Sequence, residues 1–73
     1  MKYLILDQIK NGDLFIDERE TAAEAKAEAR RAWDNLSERD RARREFFGVL
    51  ESVNPDPEAP DHTDGNIILI MKQ

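Results

Sequence analysis

Phe46-Phe47-Gly48-Val49-Leu50-Glu51-Ser52-Val53 decides the fold of this 73-residue chain. Its aromatic and β-branched side chains lose rotamer freedom in a helix and pack well on a pleated surface. With the internal glycine, they favour a strand. The alternative is a continuation of the helical segment before it. The next residues, Asn54-Pro55-Asp56-Pro57, end any regular element, because two prolines remove amide donors and force extended or turn geometry.

Upstream, Ser37-Glu38-Arg39-Asp40 reads as a helix cap, and a short helix is expected over about 38–44. Before it, Thr21-Ala22-Ala23-Glu24 has the form of a capping box, in which Thr21 takes the Glu24 amide and Glu24 returns to the Thr21 amide. Behind the box, Ala22, Ala25, Ala29, Ala32 or Trp33, and Leu36 recur at helical spacing, which predicts a helix over 21–36. Alanine makes this helix easy to form and lets it lie close to whatever it covers. Glu18, Glu20 and Glu24 near its start, with Arg30 and Arg31 later, suit the helix dipole. Arg30 and Asp34 have the spacing of an i,i+4 ion pair.

The first segment, Lys2–Ile9, is rich in aliphatic and β-branched residues. Asn11-Gly12 is a hairpin signal, and Asp13–Asp17 supplies a second strand. A two-residue loop would put Tyr3, Ile5, Ile9, Leu14 and Ile16 on one core face, but Asp7 falls there too. That conflict favours a longer or bulged loop. The last segment, Asn66–Lys72, is almost continuously apolar, which points to an interior strand. The fold class expected is α+β: β-β-α-short α-β-β, a small antiparallel sheet with the Ala-rich helix on one face. One domain is expected over 1–73, with its last two strands forming a hairpin.

Charge is distributed unevenly. Net charge is -5, and residues 51–64 alone hold five acids and no Lys or Arg. Residues 1–50 hold 11 acids against 10 bases. Glu51, Asp56, Glu58, Asp61, His62 and Asp64 therefore form the leading candidate surface, for steering a basic protein partner. Spacing at 56, 58, 61 and 64, with Gly65 after the last acid, does not match a calcium loop. A merely solvated loop is the plain alternative. Arg39, Arg41, Arg43 and Arg44 form a second candidate surface, for phosphates or nucleic acid. They are interleaved with Glu38, Asp40 and Glu45, so local pairing or a clamp onto the acidic loop also fits. Net acidity argues against general nucleic-acid binding; an alternative reading is that the acids mimic phosphate and block a nucleic-acid-binding protein.

Catalysis has little support. There is no Cys, so thiol chemistry, thiolate zinc and disulfides are excluded. His62 is the only histidine, with no defined partner, and no phosphate loop, His-Glu-x-x-His or Gly-x-Ser-x-Gly is present. No cofactor or metal is expected. No apolar run reaches the roughly 20 residues of a membrane span, and Tyr3–Leu6 is too short for a signal core; a cytoplasmic protein is expected. Tyr3, Phe15, Phe46 and Phe47 cannot all face inward, so an exposed aromatic and a monomer or weak homodimer through a strand edge are expected.

Trp33-Asp34-Asn35-Leu36-Ser37, the charged run after it, and Phe46-Phe47-Gly48-Val49-Leu50-Glu51 resemble a group of short uncharacterised proteins of anaerobic gut bacteria and their mobile elements. The likeness covers about residues 20–55. It implies a bacterial origin and carries no activity or functional residue with it.

Overall fold

The computed structural model describes residues 2–52 and 65–72. They form β1 (Tyr3–Ile9), β2 (Leu14–Arg19), α1 (Ala22–Asp34), α2 (Glu38–Ala42), β3 (Arg44–Ser52) and β4 (Gly65–Ile70). Residues 46–52 of the segment that decides the fold lie in β3; Val53 lies outside the described residues. The four strands make one antiparallel sheet in the order β2-β1-β3-β4. This is the α+β architecture, with α1 on one face.

The first hairpin sets which side chains meet α1. Gly12 donates its N–H to the Ile9 carbonyl at 3.0 Å, and the Ile9 N–H reaches the Asp13 carbonyl at 3.1 Å. Lys10, Asn11 and Gly12 therefore form a three-residue loop. Asn11 carries the left-handed backbone (φ 55°), which a short amide side chain tolerates better than most. Leu6 then faces Ile16, and Gln8 faces Leu14. Compared with a two-residue loop, the register moves by one residue and every β2 side chain changes face. Leu14 and Ile16 leave the Tyr3–Ile5 face, and Phe15 and Asp17 take their place.

On that face Ile5, Phe47 and Val49 pack with Ala25, Ala29 and Trp33 of α1. Ala25 and Ala29 are fully buried, and their small side chains allow the close approach. Trp33 is 6 % exposed; its ring meets Phe47 at 5.3 Å and 55°, a tilted geometry that aromatic quadrupoles favour. Tyr3, Leu36, Ile68, Leu69 and Met71 pack around this core. The helix starts where the sequence predicts: the Glu24 N–H donates to Thr21 Oγ1 at 3.2 Å. The return contact differs. The Glu24 carboxylate accepts from the Thr21 hydroxyl at 2.9 Å. Asp40 N–H donates to Ser37 Oγ at 3.2 Å, which confirms the second cap, although α2 stops at Ala42, before Arg43 and Arg44.

Asp7 does lie on the core face, opposite Phe47. The register of β1 and β3 shifts between Gln8 and Ile9, so Ile9 faces Arg44. This bulge at Glu45 turns Arg44 onto the same face as Asp7. Arg44 Nε stands 2.7 Å from Asp7 Oδ1, with the side chains 15 % and 22 % exposed. Both atoms are buried and neither makes a hydrogen bond. The contact is thus an ion pair with the carboxylate off the N–H direction. Arg44 also donates to the Asp40 carbonyl at 3.1 Å. A bulge does resolve the Asp7 conflict, but it sits in β3 and recruits a cation.

Two sequence expectations are corrected. Arg30 and Asp34 do not form the expected ion pair: Glu28 takes Arg31 at 3.1 Å, and Asp34 stands 3.9 Å from Arg41. More consequentially, β4 is an edge strand, not an interior one. Its unbroken apolar run arises from a bulge. Leu69 faces Val49 and Ile67 faces Leu50, which leaves Ile68 as the extra residue. Ile68 and Leu69 both pack on the core side, while Ile67 and Ile70 belong to the outer face.

Candidate functional site

The outer face of the sheet, opposite α1, is apolar along its sides. Alternation places Leu14 and Ile16 of β2 and Ile67 and Ile70 of β4 there, exposed by 45, 38, 53 and 46 % respectively. An antiparallel sheet with one solvated face ordinarily presents polar side chains on it. Leu4 and Leu50, on the central strands, are buried on this face. The exposed aromatic expected from sequence is Phe15, 54 % open, which lies on the α1 side beyond the helix.

The two edges of the sheet differ in character. β2 carries Asp17, Glu18 and Arg19. Asp17 pairs with Arg19 at 3.0 Å; this hydrogen bond raises the Arg19 pKa above its ordinary value, opposed by desolvation and assisted by the charges of Asp17, Glu28 and Glu24. Lys2 adds a 3.3 Å pair to Glu18. Charges of this kind protect an edge from unwanted pairing. β4 has none: Gly65 to Met71 contains no charged residue. Among the described residues no strand lies on its outer side. Met71 donates its N–H to the Phe47 carbonyl at 2.7 Å, so alternation turns the Ile70 N–H away from β3 and toward the open edge.

A second feature lies where the sheet end meets α2. A cleft of about 330 Å³ is lined by Lys10, Trp33, Arg41, Arg44, Glu45, Lys72 and their neighbours. Arg41 lies over the Trp33 ring at 5.4 Å, donates to the Trp33 carbonyl at 3.0 Å, and so is held in place by the core.

The acidic surface is only partly visible. Glu51 is half-buried in β3, opposite Tyr3 and Asn66. Asp56, Glu58, Asp61, His62 and Asp64 lie outside the described residues. The arginine run is divided: Arg41 and Arg44 line the cleft with internal partners, whereas Arg39 and Arg43 are exposed away from it. Sequence reasoning missed Lys10 and Lys72, which the fold brings to the same cleft from opposite ends of the chain. The only available signal was the absence of a nearby acid beside Lys72.

Among the described residues no cluster of His, Asp or Glu has the arrangement of a metal site, and no helix is long and apolar enough to cross a membrane. No family model, curated protein or solved structure matches this chain.

Proposed function

We propose that this protein is a non-enzymatic, cytoplasmic binding module whose β4 edge pairs with a strand of a basic partner protein. The observation that carries the reading is the uncharged β4 edge, unpaired among the described residues, with Ile67 and Ile70 open beside it. Such an edge offers main-chain hydrogen bonds and side-chain pockets to an added strand. Five acids in 51–64 lead directly into β4, so an approaching basic segment meets favourable charge. Charge of this sort raises association rates at low salt. A second copy is a poorer occupant, because each chain carries a net charge of -5 and like charges repel on encounter.

The test is capture from host extract on the immobilised chain, with retained proteins identified by mass spectrometry. Wild type is expected to retain basic proteins in about 50 mM salt and to release them as screening rises. Ile67→Lys, on an exposed side chain, should reduce retention at least tenfold. Joint replacement of Asp56, Glu58, Asp61 and Asp64 by their amides should slow association. The reading is overturned by retention that neither variant changes. It is overturned equally by sedimentation showing that the chain pairs with itself through an Ile67→Lys-sensitive contact.

A further inference from the structure

The geometry points to the cleft between α2 and the sheet end as a binding site for a small phosphate-bearing molecule, which we propose as an activity separate from strand pairing. Lys10 comes from the first turn, Arg41 from α2, Arg44 from β3 and Lys72 from the residues after β4, and all four line one cleft of about 330 Å³. Among the described residues Glu45 is the one acid lining it, and Asp7 is already paired to Arg44. Asp34 stands beside Arg41, so the local balance is four cations against three acids, on a chain whose overall charge is -5.

Surface cations on such a protein ordinarily find acids nearby. Here Lys10 and Lys72 are exposed and make no ion pair among the described residues. Arg41 and Arg44 are half-buried and fixed. Trp33 and the Asp34 carboxylate orient Arg41; Asp7 and the Asp40 carbonyl orient Arg44. Two pre-positioned guanidiniums and two exposed ammonium groups lining the same cleft suit a compact anion with more than one charge. The volume is at the lower end for small-molecule sites, which favours a phosphorylated metabolite over a nucleic-acid strand. The bulge at Glu45 contributes as well, since without it Arg44 would not face Asp7.

Trp33 is the only tryptophan, and it lines the cleft, so its fluorescence reports occupancy. Pyrophosphate titrated into the full chain should change that fluorescence saturably, at one site per chain by calorimetry. Lys10→Gln and Lys72→Gln, both at exposed positions, should each weaken binding about fivefold to tenfold, the scale of one charge-assisted hydrogen bond partly screened by water. Arg30→Gln removes an exposed charge elsewhere and should leave the affinity unchanged. A 5′-mononucleotide should compete with pyrophosphate. The proposal is overturned if pyrophosphate gives no saturable signal, or if Arg30→Gln weakens binding as much as Lys72→Gln. It is also overturned if a single-stranded oligonucleotide binds and pyrophosphate does not displace it. Ile67→Lys should not affect this titration, which keeps the site distinguishable from the strand-pairing edge.

Discussion

Trp33→Ala is expected to destabilise the protein by about 3–5 kcal/mol, the usual cost of truncating a buried aromatic to alanine. A chain of this length has a total stability of only roughly 4–11 kcal/mol, so the variant should be largely unfolded at ambient temperature. The reason is position as much as size. Trp33 closes the end of α1 over Phe47 and supports Arg41 through its ring. Around it the helix contributes only Ala25 and Ala29 to the buried core, and alanines cannot refill the space. Urea unfolding followed by far-UV circular dichroism measures the loss. Trp33→Phe should retain more than half of what Trp33→Ala loses. A Trp33→Ala midpoint within the equivalent of about 1 kcal/mol of wild type would show that the core does not depend on this residue.

Gly48→Ala is expected to detach β4. A Cβ built at Gly48 lies 2.2 Å from the Leu69 carbonyl oxygen, a backbone atom that cannot swing aside as a side chain would. The neighbouring β4 bulge brings this carbonyl so close, so relief requires β3 and β4 to separate. Ile68, Leu69 and Met71 would then leave the core. The loss should exceed the 0.5–3 kcal/mol typical of single substitutions. Gly12→Ala is the comparison: its Cβ would meet the Ile9 side chain at 3.1 Å, where a small shift suffices, and it should cost less than about 1 kcal/mol. Amide exchange localises the effect. Loss of β4 protection in Gly48→Ala with β1 retained is the expected pattern. Wild-type protection throughout β4 would show that the sheet accommodates the methyl group.

Local chemistry was readable from the residues, and pairing between distant segments was not. Thr21 and Ser37 signal their helices because a capping hydroxyl acts within three residues. The strand over 46–52 is legible because branched and aromatic side chains carry their own backbone preference. Leu14 and Ile16 show where this stops. Their face depends on whether the loop holds two residues or three, and Asn-Gly allows both. Ile67–Met71 shows a deeper limit. An apolar run describes both an interior strand and an edge strand with a bulge and an open outer face, and only the neighbours distinguish them. The cleft is the extreme case, since Lys10 and Lys72 meet only through the closed sheet. Arg41 and Arg44 were noticed as part of a charge run, but their inward orientation comes from Trp33 and from the β3 bulge.

That bulge also explains how an α+β sheet this small tolerates Asp7 on its core face. A carboxylate there without Arg44 would be an uncompensated, largely buried charge, whose removal of a partner costs several kcal/mol in fully buried pairs and less where water reaches it, as it does here. The pair is therefore read as fixing the register of β1 on β3 more than as adding stability, since the alternative register would separate the two.

Whether β4 is an open edge is tested most directly by amide hydrogen exchange on the free protein, resolved by residue. The Ile70 amide should exchange quickly, while the adjacent Met71 amide, bonded to Phe47, should be protected. On binding a basic partner, the Ile70 amide should become protected as well. Strong protection of Ile70 in the free protein, equal to that of Met71, would contradict the open edge and with it the proposed mode of binding.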